Sequence, residues 1–314
     1  MSYRKSIAHK QEKNATICIP AAPRPLPARH KARIRAPSLR VDFRGSRRYK
    51  PPGMTRRVLI TGGSRGLGAA IAEAAARRGW TNLLVGRNEA AMQERVQEWE
   101  RARPGRGGGC LGLDLNAPDA LARLTAWLDK VGDPDIVIHN AAVGHFGPFA
   151  ETSLGNHEAT VGLGVGVTVA LTHALLPRLA ARPGSHLVYV GSTSGRKPVP
   201  YMTVYSSTKA FVHSFALALR EELAGAPKVL LVIPGAVQTD FPRLAGLPES
   251  FAAKGLTPAA AGEMIAQAVS QGRDGVLTIG SAGERYGGLL QRLFPPTFWA
   301  RKMRKAYAPL LRRS

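Results

Sequence analysis

The chain has 314 residues, 44% of them apolar, enough to fill one catalytic domain of about 250 residues with appendages. Its two cysteines, Cys18 and Cys110, stand far apart and outside any metal-ligand spacing, so no metal site is implied and a reducing, cytoplasmic setting is expected. No run of eighteen apolar residues and no apolar signal segment occurs, which argues against a membrane span and export, and the net charge of +23 is too unevenly placed to mark a nucleic-acid binder.

Residues 1–53 hold fourteen Lys/Arg against Glu12 and Asp42, with seven prolines and no apolar periodicity. Such a basic, Pro-rich leader cannot offset its ordering entropy by burial and is expected to be disordered. A transit peptide and a nucleic-acid-binding arm are alternatives, but the favoured reading is a start codon placed upstream of the true one, Met54. The first strand opens within a few residues of Met54, as in compact nucleotide-binding domains.

From Arg57 onward, short apolar runs alternate with amphipathic stretches. The expected strands are Val58–Thr61, Leu83–Val85, Cys110–Leu115, Ile136–His139, His186–Val190, Val229–Ile233 and Val276–Ile279, each continuously apolar as in strands buried on both faces. Helices are expected over Ala69–Arg78, Glu89–Arg101, Ala117–Leu128, Thr160–Leu179 and Thr208–Glu222, and from near Pro258. This alternation predicts a single Rossmann-type doubly wound α/β fold, with a seven-stranded parallel sheet flanked by helices, over residues 54–284. Gln238–Lys254 reads as the longest irregular loop. Residues 285–314 carry eight Lys/Arg and no acid among Leu, Phe, Trp and Tyr, a basic amphipathic tail expected to be a solvated helix or oligomer contact before a membrane anchor.

Three segments carry chemistry. Thr61-Gly62-Gly63-Ser64-Arg65-Gly66-Leu67-Gly68 links the first strand to the first helix, so its glycines let backbone approach a pyrophosphate at a helix N-terminus. At the end of the second strand stands Arg87, where arginine favours a ribose 2′-phosphate and an acid would repel it; Arg65 points the same way. Of seven tyrosines only Tyr205 has a lysine four residues on, Lys209, which puts both on one helix face. A buried ammonium there is expected to lower the phenol pKa from about 10 and ready Tyr205 for proton transfer. The histidines lack partners at metal spacing, so His139, His173, His186 and His213 read as structural.

The Thr-Gly-x-x-x-Gly-x-Gly turn, Asn140-Ala141-Ala142 after the fourth strand, Gly191-Ser192-Thr193-Ser194-Gly195, Tyr205/Lys209 and Pro234-Gly235-Ala236-Val237-Gln238-Thr239 together resemble the short-chain dehydrogenase/reductase family through residues 57–240. The resemblance implies a catalytic Ser192, Tyr205 and Lys209. It implies cofactor contacts from Thr61, Gly62, Ser64, Arg65, Gly66, Leu67, Gly68, Arg87, Asp114, Asn140, Ala141, Tyr205, Lys209, Pro234, Gly235, Val237 and Thr239. Asp114 would touch adenine, Thr239 the nicotinamide carboxamide and Lys209 the ribose. Three positions depart from the pattern: His139 replaces an Asn, Ala142 a Gly, and Gly164 the helix Asn of the proton relay.

The expected function is therefore an NADP(H)-preferring oxidoreductase that interconverts a carbonyl and an alcohol on a small or medium apolar substrate. Alternatives are reduction of a 3-oxoacyl group on a carrier protein, and a weakly catalytic NADP(H)-binding sensor or scaffold. Family members pair through two long helices, which implies a homodimer or homotetramer here. Phe146, Phe149, Phe241, Leu244, Leu247 and Phe251 are expected to shape an apolar pocket.

Overall fold

The computed structural model describes residues 55–281, 283–284 and 293–312. The predicted leader and residues 285–292 of the tail lie outside the described residues. Seven strands form one parallel sheet in the order β3-β2-β1-β4-β5-β6-β7. They run β1 Arg57–Thr61, β2 Thr81–Gly86, β3 Gly109–Gly112, β4 Ile136–His139, β5 His186–Val190, β6 Lys228–Pro234 and β7 Gly275–Ile279. The doubly wound α/β sheet expected from the apolar runs is present, with β4 and β5 matching at both ends and the other strands displaced by at most three residues.

The helices follow in chain order as α1 Gly66–Arg77, α2 Glu89–Ala102, α3 Ala120–Val131, α4 Leu154–Val161, α5 Val167–Ala180, α6 Thr203–Leu223, α7 Phe241–Leu244, α8 Pro258–Ser270 and α9 Pro296–Tyr307. Alternate strand residues feed two cores. Val58 and Ile60, Val188 and Val190, and Leu230 and Val232 pack with Ile71, Met92, Val96 and Ile265 from α1, α2 and α8. Leu59, Leu187, Tyr189, Val229 and Leu231 face the other way onto Leu124, Leu171, Leu175, Val212 and Ala216 from α3, α5 and α6. Each fully buried Leu or Ile contributes about 1.5–3 kcal/mol by leaving water, so this two-sided burial carries the fold.

Several expectations are corrected. The loop 238–254 is not irregular throughout: Phe241–Leu244 and Glu249–Ala252 form helical turns within it. The predicted helix 208–222 starts five residues earlier, so Tyr205 sits inside its first turn. The predicted helix 160–179 is α4 and α5 joined by a wider π turn over Gly162–Gly166. This 154–180 stretch has the length and mean hydropathy of a membrane span, although no uninterrupted apolar run signals it. Its Leu171, Leu175 and Leu179 are buried against the sheet, whereas Leu154, Val161 and Val169 are exposed.

Candidate active site

The strand order reverses between β1 and β4, and both strands end at the same edge. In open α/β sheets this crevice is where ligands bind. The turn after β1 carries Gly62 and Gly66 at φ +69° and +57°, conformations that side chains resist. Gly68, at the start of α1, is packed so tightly that an added Cβ would lie 2.2 Å from the Gly62 carbonyl oxygen. No side chain caps the N-terminus of α1 and no acid lies in its first turn. Its free amides and dipole are thus left for an anion, and the cradle fits the pyrophosphate of a dinucleotide.

Two residues expected to touch the cofactor are spent elsewhere. Thr61 is 2% exposed. Its hydroxyl donates to the Ile138 carbonyl and accepts from the amides of Asn140 and Ala141 at 3.0 Å each. The Asn140 amide nitrogen donates to the Thr61 carbonyl at 2.9 Å. Both residues therefore bolt the end of β4 to the end of β1, and Thr61 has no hydroxyl valence left for a ligand. Asp114 does not end β3, which stops at Gly112. It stays exposed, and its carboxylate also accepts from the Asn116 amide at 3.0 Å. Arg65 and Arg87 are exposed beside the crevice and form no ion pair among the described residues. Leu67 and Ser64 are half-buried, with Ser64 packed against Gly86.

Across the crevice, Pro234 ends β6 and the Gly235 amide donates to the Ile279 carbonyl at 2.8 Å. Glu284 braces this turn by accepting from the Ala236 amide at 2.8 Å. Val237 bridges to Leu256. Thr239 reaches back toward the glycine turn, where a Cβ on Gly66 would meet its methyl at 3.4 Å. The two ends of the expected cofactor cradle thus face each other.

Ser192, Tyr205 and Lys209 converge at the end of β5. Tyr205 and Lys209 are 9% and 5% exposed. Burial pushes the Tyr205 phenol up to about 12, opposed by its hydrogen bond to the Ser192 side chain. Burial likewise pushes the Lys209 ammonium down to about 8. The expectation of a phenol acidified by Lys209 is corrected. The Lys209 Nζ donates to the Val190 carbonyl at 2.8 Å and lies 5.8 Å from the Tyr205 ring centre, and the cost of burying each charge outweighs their coupling. At neutral pH the phenol therefore holds its proton.

Sequence reasoning missed the supports of this trio. His213 reads as a satisfied helix residue, yet its Nε2 accepts the Ser192 amide at 3.3 Å and it fills the space over Gly191 and Gly195. Burial pushes it down to about 4, so it remains neutral and able to accept. Gly144 lies under the Tyr205 ring, where a Cβ would approach Cδ2 to 2.8 Å. Phe241 packs on Tyr205 at 5.1 Å between ring centres. An apolar wall of Val199, Met202, Ala245 and Leu247 joins Phe146, Phe241, Tyr307 and Leu310 around Tyr205. Tyr307 and Leu310 arrive from the tail, 100 residues away in sequence. Of the expected pocket residues, Phe149 is instead 61% exposed and stacks on His157.

The sequence matches the family model for short chain dehydrogenases over residues 56–246, a span that contains the glycine turn, Ser192, Tyr205, Lys209 and Thr239. The chain is a short-chain dehydrogenase/reductase. It is 31% identical over 210 residues to the ketoacyl reductase HetN of a Nostoc species, a match covering 62% of this chain and 72% of that protein. A short-chain dehydrogenase from Sphingobium yanoikuyae solved with NADPH superposes with a TM-score of 0.66 at 27% identity, over 76% of this chain and 94% of that one. A 3-ketoacyl-(acyl-carrier-protein) reductase from Brucella melitensis solved with NADH gives 0.62 at 26%, over 73% and 98%.

As a short-chain dehydrogenase/reductase the protein is an NAD(P)-dependent oxidoreductase. Two of the three departures from the family pattern, Gly164 and His139, have structural accounts. Gly164 lies in the π turn against α6, where a Cβ would approach that of Thr208 to 2.8 Å. An Asn cannot stand there without driving α5 away from the helix that carries Lys209. His139 is 8% exposed, stacks on Tyr189 at 4.7 Å, and is pushed down to about 3 by burial. It packs as a neutral ring against the core that α5 and α6 cover.

Proposed function

We propose that this enzyme interconverts a carbonyl and an alcohol on a small or medium apolar substrate, with NADP(H) preferred over NAD(H). The observation that carries the reading is the hydrogen-bonded pair of half-buried Ser192 and buried Tyr205, set beside buried Lys209 at an apolar wall and across the crevice from an uncapped glycine turn. NADPH, when bound, supplies the hydride. Gly62, Ser64, Gly66, Leu67 and Gly68 cradle its pyrophosphate, and Thr239 with Val237 borders the nicotinamide. The Ser192 hydroxyl positions the substrate oxygen, and Tyr205, protonated at working pH, gives that oxygen its proton. Lys209, held by Val190, places positive charge behind the phenol and stabilises the phenolate left behind.

Arg87 and Arg65 support the phosphate preference, because both guanidiniums are exposed, one just after the end of β2 and one in the glycine turn, and neither is in an ion pair among the described residues. Arg87→Asp is expected to weaken NADPH binding by about 10- to 100-fold, the worth of a charge-assisted contact, while NADH binding holds or improves. Fluorescence titration of both reduced cofactors reads this directly. An unchanged NADPH affinity would remove Arg87 from the site. A 3-oxoacyl thioester substrate is the second reading, favoured by the Nostoc and Brucella relatives and by the basic surface, which would attract an acidic carrier. A homo-oligomer is supported by Leu154, Val161, Val169 and Leu217, which leave an exposed apolar strip along α4, α5 and α6.

A further inference from the structure

We propose that the start of α9 and the turn before it form a docking surface for an anionic lipid bilayer. Leu293, Phe294 and Phe298 are 70%, 46% and 41% exposed, the large bare hydrophobic side chains among the described residues of the tail. Phe294 stacks on Phe298 at 4.6 Å, and Trp299 meets both rings edge-on at 6.2 and 5.3 Å. Water is a poor solvent for the bare Leu293, Phe294 and Phe298 side chains.

The rest of the helix supplies the complementary charge. At ~100° per residue, Phe298, Arg301, Lys302 and Lys305 share the outward face, whereas Trp299, Met303 and Tyr307 turn half-buried toward the domain. Arg301, Lys302, Arg304 and Lys305 are all exposed and form no ion pair among the described residues. No Asp or Glu occurs anywhere in 285–314. An aromatic tip followed within two turns by a cationic collar suits the boundary between acyl chains and phosphate headgroups. The same face would repel a second copy of itself, because every charge on it has one sign.

The far end of the helix is fixed. Tyr307 packs against Phe146 at 6.1 Å and Phe251 at 5.7 Å, and it joins the apolar wall around Tyr205. A bilayer gripped by Phe294 and Phe298 would thus lie one short helix away from the active-site wall, where a lipophilic substrate could pass directly from membrane to pocket.

The test is sedimentation of the full chain with phosphatidylcholine vesicles, with and without phosphatidylglycerol. Two variants are compared with the native chain: Phe294→Ser with Phe298→Ser, and Arg301→Gln with Lys302→Gln and Lys305→Gln. The native chain should bind only the anionic vesicles, and each variant should lose at least about tenfold in partition. NADPH affinity and thermal midpoint should stay the same, showing that both variants fold. Equal binding by all three chains would overturn the proposal by assigning attachment to the basic leader. So would no binding by the native chain, or a drop in oligomeric state on Phe→Ser substitution, which would make the patch a contact between copies.

Discussion

Tyr205→Phe should reduce turnover by about 10²- to 10⁴-fold while leaving NADPH affinity unchanged, the range expected for removing a general acid. The change deletes one oxygen and little else. The ring keeps its contact with Phe241 at 5.1 Å and its seat over Gly144, so the wall of the pocket survives. What disappears is the proton that burial retains on the phenol and the partner of the Ser192 hydroxyl. Each tenfold loss corresponds to about 1.4 kcal/mol of transition-state stabilisation, so the substitution is asked to remove roughly 3–5 kcal/mol. Single-turnover kinetics with saturating NADPH separate this from a binding defect. Turnover within a few-fold of the native enzyme would assign the proton to another group.

Gly68→Ala is expected to abolish useful cofactor binding. The new methyl would sit 2.2 Å from the Gly62 carbonyl oxygen and 2.6 Å from the Asn140 side-chain nitrogen, and the first of these is backbone that has no rotamer to yield. Either the turn moves or α1 does, and both moves break the pairing of Asn140 with the Thr61 carbonyl. Overpacking of this kind costs about 1–3 kcal/mol in stability. Displacing the cradle by about an ångström costs a further 10²-fold in function. Gly155→Ala is the matched control, since the space around Gly155 in α4 is open to 4 Å and alanine favours the helix. A Gly68→Ala chain that binds NADPH as the native one does would mean the turn is not the phosphate cradle.

The sheet was legible because its central strands are β-branched and leucine-rich runs whose alternate residues are consumed by two different cores: Val58 and Ile60 on one side, Leu59 on the other. The glycine turn and the Tyr205/Lys209 pair were legible because their function is written in local spacing, four residues along a helix or four glycines in eight. The strand-tying role of Thr61 and Asn140 was hidden for the same reason. Their positions mark the crevice, but whether a polar group there faces a ligand or ties two strands together depends on hydrogen bonds across 79 positions of sequence. His213, Gly144 and Tyr307 were invisible as supports of the site because each acts through a contact between distant segments. The acidity of Tyr205 was misjudged because adjacency on a helix says nothing of burial, and burial decides both pKa values.

The most direct test of the proposed chemistry follows the transferred hydrogen. NADPH carrying deuterium at both C4 positions of the nicotinamide is incubated with the enzyme and a panel of apolar ketones, aldehydes and 3-oxoacyl thioesters, and the products are read by mass spectrometry and NMR. The account predicts one deuterium on the carbinol carbon and a solvent-derived proton on its oxygen, with both lost in Tyr205→Phe. NADPH consumption that leaves the carbinol carbon unlabelled, or an alcohol formed equally well by the Tyr205→Phe enzyme, would contradict it.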